Sequence, residues 1–214
     1  MVNYLLVRHL LRVNGEELIE GVDLLSKDHQ KLKRANPQDA ILIAGDIRTQ
    51  LEKRKVPTQT IDQIIVQFIK DCFKLAYMEM FDRHNTNYGI LYAGLHKARI
   101  APLYDLDLGF RPTVEFVPDI DTLNQEKICQ DMREMTLPDY LPNYIETINK
   151  VFPWFANWVK LWTKRLSCID LETILVKDDG IKLEPGQIEY YMEFISEKNT
   201  IIENYFKKRA PTER

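Results

Sequence analysis

A chain of 214 residues is long enough to bury a sizeable core, near the upper end of a single domain. Its 29 basic and 32 acidic side chains leave a formal net charge of -3, which makes no strong electrostatic case for nucleic acid or an anionic membrane as partner. Three scattered cysteines, Cys72, Cys129 and Cys168, contain no C-x-x-C pair. They argue against a disulfide framework and a zinc site, and for a reducing compartment. The first residues lack a basic leader, and their apolar run is cut at Arg8. No run of about 18 apolar residues follows, so neither a signal segment nor a membrane span is expected, and the cytoplasm is the expected location.

In chain order, residues 3–26 read as two short strands around the turn pair Asn14-Gly15, with Leu18, Ile19, Val22, Leu24 and Leu25 continuing beyond it. A lone hairpin is marginal in water, so these strands need a body to lie against. From Pro37 to about Lys55 the apolar residues Ala40, Ile41, Ile43, Ala44, Ile47 and Leu51 predict a helix. The basic run Lys53-Arg54-Lys55 suits its C-terminus. A second helix, capped by Thr58 or Thr60, carries a wide stripe from Ile61 to Met80, and that width predicts burial on more than one side.

A polar loop, Phe81 to Asn87, follows at once. Tyr88 to Ala93 then predicts a strand, Gly94 to Lys97 a turn, and Ala98 to Ala101 a returning strand. The remainder predicts helices over 121–133, 139–151, 154–166, 170–177 and 187–208, separated at Pro138, Pro153 and Pro185-Gly186. Trp154, Trp158 and Trp162, four apart, are expected to line one helix face as core or groove residues. The fold class expected is mainly α with a small β-hairpin component.

The chemistry concentrates around that hairpin. Asp82 and Asn87 lie five residues apart in the loop before it, and Asp105 stands just past its far end. A hairpin brings its two ends together, so the arrangement offers one carboxylate to handle a proton. A second carboxylate and an amide oxygen remain for a divalent cation. Magnesium takes oxygen ligands, and phosphoryl transfer needs an acceptor to orient the attacking hydroxyl. Asp and Asn also populate turns for their local hydrogen bonding.

The segment Asp82-Arg83-His84-Asn85-Thr86-Asn87 resembles the D-x-H-x-x-N catalytic loop of HipA-like serine/threonine protein kinases. Ile100-Ala101-Pro102-Leu103-Tyr104-Asp105 resembles that family's L-A-P-x-Y-D segment. The resemblance implies a kinase-like C-lobe of the HipA type, with ATP and Mg2+ as cofactors. It implies Asp82 as the catalytic aspartate, Asn87 as a catalytic-loop magnesium and cofactor ligand, Asp105 as the principal magnesium ligand, and His84 as a loop-positioning residue. It spans roughly residues 35–210, with the specific motifs inside 82–105.

The chain departs from a complete kinase in its first part. Before Asp82 the glycines are Gly15, Gly21 and Gly45, none in a G-x-G-x-x-G arrangement, and no V-A-I-K-like strand is present. Residues 1–26 are therefore expected to be the remnant of N-lobe and hinge strands, with Leu5 to Leu11 and Glu17 to Leu25 in that role, and residues 27–214 the helical lobe. Weak or no kinase activity is expected of the chain alone. The expected partner is a separately encoded N-lobe, as in a split kinase, or an antitoxin-like protein, with a protein substrate. The alternative is a non-catalytic interaction module, a pseudokinase or toxin–antitoxin component. A metal-dependent hydrolase built on His84, Asp82 and Asp105 is a third reading, without a recognisable histidine signature. Asp107 is expected as a solvated loop residue and His96 as an exposed turn residue. His9 and His29 have no partner that the sequence identifies.

Overall fold

The computed structural model describes residues 17–80, 88–93, 97–101, 135–167 and 185–209. Their fold is mainly helical with a small three-stranded open sheet. Contacts divide the chain into two compact units, residues 1–132 and 133–214.

In the first unit, strand β1 (Glu17–Glu20) is followed by a one-turn helix α1 (Gly21–Leu24) and a 3-10 turn at Lys27–His29. The extended stretch expected to run through Leu25 thus ends at Glu20. The Gly21 amide continues the ladder by one bond, donating to the Tyr88 carbonyl at 2.8 Å, and the turn that follows buries Leu24 completely. A strand continuing through these residues would alternate its faces, whereas one helical turn brings Gly21 and Leu24 to the same buried side.

Helix α2 (Pro37–Lys53) begins where local chemistry dictates. Asn36 accepts from the amides of Gln38 and Asp39 at 3.0 and 3.2 Å, and Pro37 occupies the first helical position, where a missing amide costs nothing. Its inward face, Ala40, Ile43, Ala44, Ile47 and Leu51, follows the helical period. Helix α3 (Thr58–Tyr77) packs against it and is buried on several sides, from Ile61 through Phe68, Cys72 and Phe73 to Tyr77, as its wide stripe predicts.

Both helices end in the same way. Val56 donates to Leu51 and Lys55 to Glu52; Met80 donates to Leu75 and Glu79 to Ala76. Each is a Schellman closure, with buried apolar residues at its two contact positions. The residue at the left-handed position is not glycine in either case: Lys55 has φ 58° and Glu79 φ 54°. The closures therefore hold two side chains in a backbone region costing about 1–2 kcal/mol each.

Strands β2 (Gly89–Tyr92) and β3 (Ala98–Ile100) complete the sheet in the order β1-β2-β3, both pairs antiparallel. Leu18 lies opposite Leu91 and Ile19 opposite Ile90. One sheet face carries Leu18, Leu91 and Ala101 as a packed cluster, while Ile19 and Ile90 are buried from the other. The sheet is thus covered on both sides, with β3 packed on α3.

The second unit holds α4 (Tyr140–Val151), α5 (Phe155–Leu166) and α6 (Pro185–Arg209). Leu141, Tyr144, Ile145 and Ile148 of α4 face inward, together with Phe155 and Val159 of α5 and Phe194, Ile202 and Tyr205 of α6. Each fully buried large apolar side chain contributes about 1.5–3 kcal/mol. The α4–α5 corner is fixed by the Ala156 amide, which donates to the Asn149 side-chain oxygen at 3.0 Å. Lys198 is buried with its ammonium 3.4 Å from the Met135 carbonyl and 5.5 Å from the Phe194 ring centroid.

Candidate functional site

The residues of the expected site, Asp82, His84, Asn87 and Asp105, lie outside the described residues, as do Asp107 and His96. The structure does describe the three ends that connect to them: the close of α3, the entry to β2 and the exit of β3.

At the first end, the Schellman closure of α3 turns the chain sharply out of the helix just before residue 81. Glu79 takes the left-handed position there with only 4% of its surface exposed, an uncommon combination of a buried carboxylate and a costly backbone angle. At the second end, Tyr88 is held from three directions. Its ring packs 5.4 Å from that of Phe68 on α3, and the Arg34 guanidinium lies over it at 4.6 Å. Its carbonyl accepts from Gly21. The residue that directly follows Asn87 is thereby fixed to α3, to the segment preceding α2 and to Gly21 at the start of α1.

Gly89 continues this anchoring by having no side chain. A Cβ there would stand 2.6 Å from the Ile19 carbonyl oxygen and 2.7 Å from a Leu18 methyl carbon. Glycine is required by the close approach of β1 and not by an unusual φ. At the third end, the Ala101 amide donates to the Gly89 carbonyl at 2.9 Å, which extends the β2–β3 pairing by one bond beyond β3. The entry and exit of the hairpin are therefore side by side, as the sequence predicts.

Arg34 is the residue of this region that sequence reasoning missed. It lies in the run Lys31-Leu32-Lys33-Arg34, whose polarity reads as a solvated surface, yet its side chain is 2% exposed. Its positive charge also acts on Cys72 of α3, opposing the effect of burial, which still raises that thiol far above its ordinary range. A partner also emerges for His29: its Nδ1 lies 2.8 Å from the Asp46 carboxylate, which accepts from the Ser26 amide at 2.9 Å. This arrangement ties the 3-10 turn to α2.

Among the described residues no group of three His, Cys, Asp or Glu side chains is placed to hold a metal ion. The donor set expected for magnesium, the Asn87 amide oxygen and the Asp105 carboxylate, is chemically suited to a hard cation that takes oxygen ligands. No helix among the described residues is long and apolar enough to cross a membrane. Comparison of the chain with protein-family models, with curated proteins and with solved structures finds no match.

Proposed function

We propose that the chain is the catalytic lobe of a HipA-like serine/threonine kinase, acting in the cytoplasm, with a magnesium-dependent phosphotransfer site that needs an N-lobe to grip ATP. In this reading Asp82 orients the substrate hydroxyl and His84 positions the loop around it. Asn87 and Asp105 are the ligands for Mg2+, which neutralises charge on the ATP phosphates when bound. Residues 1–214 carry neither a glycine-rich phosphate loop nor a strand lysine, so in this reading the grip on ATP is supplied from outside them.

What supports the reading is the β2–β3 pairing, closed by the Ala101–Gly89 bond. Asn87 stands two residues before Gly89 and Asp105 four after Ala101. At an extended limit of about 3.6 Å per residue, those tethers reach about 7 Å and about 14 Å from neighbouring anchor points. Two magnesium ligands on such tethers are within reach of one ion. The buried, three-sided anchoring of Tyr88 adds what positional catalysis requires, a rigid support beside the loop.

Calorimetric titration with magnesium-ATP, repeated on Asp105→Asn, tests the reading. We expect weak binding by the chain alone, lost in the variant. Binding that the substitution leaves intact removes Asp105 from the metal site. Co-purification with a neighbouring small protein, followed by kinase assay of the pair and of its Asp82→Ala form, separates the two functional classes. Activity that vanishes with Asp82→Ala is expected; a stable but inactive pair would assign the chain to the non-catalytic interaction modules.

A further inference from the structure

The net charge of -3 conceals a segregation of charge within the second unit. Helix α5 contains Lys160, Lys164 and Arg165 and no acidic residue. The first half of α6, residues 185–197, contains Glu189, Glu193 and Glu197 and no basic residue. All six are exposed. Lys160 and Lys164 are four apart, as are Glu189 and Glu193, so each pair forms a row along its helix with a spacing of about 6 Å.

Neither row is neutralised at home. Lys160, Lys164, Arg165, Glu189 and Glu193 form no ion pair among the described residues, whereas elsewhere in the unit Arg209 pairs with Glu146 and Lys207 with Glu203. Both rows are accompanied by exposed apolar surface. Leu161 on α5 is 52% exposed, and Tyr190 and Met192 on α6 are 40% and 45% exposed. Trp154, Trp158 and Trp162 lie half-buried alongside, because Phe155, Val159 and Thr163 take the inward positions of α5. Aromatic residues, Met and Arg are the side chains enriched at protein interfaces.

We propose that this unit associates with a second copy of itself, the basic row of α5 in one copy lying on the acidic row of α6 in the other. A two-fold pairing uses both patches of both copies, because a surface that contacts its complement on a partner receives the reciprocal contact. The equal spacing of the rows sets lysine against glutamate in register. Other anionic partners fit less well. A nucleic acid strand needs open ring faces for base stacking. The ring of Trp158 instead packs against those of Phe155 and Trp162, stacked on the latter, with centroids 5.7 Å away in each case. A lipid surface needs a broad apolar face free to insert, whereas Phe155, Val159 and Thr163 of α5 are buried in the core and Leu161 is its one largely exposed apolar side chain. Both also leave the acidic row unused and meet its repulsion.

The test is the solution mass of the full chain by sedimentation equilibrium at micromolar concentration. We expect a mass near twice 25.3 kDa at low salt, falling toward 25.3 kDa as salt is raised. Lys160→Glu/Lys164→Glu and Glu189→Lys/Glu193→Lys set like charges against each other, and each weakens self-association at least about a hundredfold. An equimolar mixture of the two variants restores complementarity at both contacts and re-forms a dimer, which also demonstrates that both variants are folded. The chain's three tryptophans all lie at residues 154–162, so their emission shifts to shorter wavelength on association. A wild-type chain that stays at 25.3 kDa, variants that remain dimeric, or a mixture that remains monomeric would each overturn the proposal.

Discussion

Replacing Gly89 with alanine tests the close approach of β1 to β2 and, through it, the support of the loop before β2. The added methyl would lie 2.6 Å from the backbone oxygen of Ile19 and 2.7 Å from the Leu18 side chain. Leucine can rotate its methyl away, but the Ile19 carbonyl is fixed by the ladder that sets Ile19 opposite Ile90 and Glu20 opposite Gly89. An ordinary separation is restored only if β1 moves away by most of an ångström, which stretches the ladder there and the Gly21–Tyr88 bond. Overpacking of this kind costs about 1–3 kcal/mol, and each weakened hydrogen bond adds up to about 1 kcal/mol. Alanine recovers about 0.5–1 kcal/mol of unfolded-state entropy. The expected net loss is about 2–3 kcal/mol, read as a lower urea midpoint with unchanged slope. Hydrogen exchange should localise the loss to residues 17–21 and 88–92. A midpoint at or above that of the wild type would refute the steric argument.

Two substitutions should stabilise the first unit. Gly45 sits in the middle of α2 with nothing within 4 Å of where a Cβ would stand, so Gly45→Ala should raise stability by about 0.5–1 kcal/mol in urea titration. Lys55→Gly removes a side chain from the left-handed position closing α2 and should yield about 1 kcal/mol in the same assay. Burial raises both the Cys72 thiol, from an ordinary 9.0, and the Tyr77 hydroxyl, from 10.0. As pH rises past 9.0 and then 10.0 the unfolded chain loses these protons while the folded chain keeps them. Stability should therefore fall with pH there, each group approaching about 1.4 kcal/mol per pH unit. Cys72→Ala and Tyr77→Phe should each flatten that fall in alkaline urea titrations. In a Cys129→Ser/Cys168→Ser background the remaining Cys72 thiol should react with a thiol reagent only on unfolding, giving a direct assay of opening.

The elements that could be read from sequence are those whose signal is local and periodic. Pro37 and the Ala40 to Leu51 pattern announced α2, the wide stripe from Ile61 announced a multiply buried α3, and the helices from Tyr140 and Pro185 followed their apolar spacing. The hairpin of β2 and β3 was legible because two short apolar runs, Tyr88 to Ala93 and Ala98 to Ala101, flank a short turn segment. Helix periodicity by itself left the tryptophans as either core or groove residues. Packing gave the inward positions of α5 to Phe155, Val159 and Thr163 and left the tryptophans half-buried beside them.

The expected site was legible only as a motif, since Asp82, His84, Asn87 and Asp105 declare themselves by spacing and resemblance, while the residues supporting them do not. Arg34 sits in a polar run, and only the folded chain shows it buried over Tyr88, because a long-range contact across 54 positions leaves no periodic trace. The Asp46 partner of His29 is hidden for the same reason. Glu79 and Lys55 in left-handed backbone run against their own preferences, and tertiary burial around the helix ends outweighs that local cost. Tertiary structure also decided that Glu17–Glu20 pairs with a segment 72 positions on, Glu17 against Tyr92 being the widest pairing at 75. Sequence determined the long helices of the described residues and the β2–β3 hairpin, because propensity and periodicity act between near neighbours. Packing decided which of their side chains meet, because those contacts join residues that the chain keeps far apart.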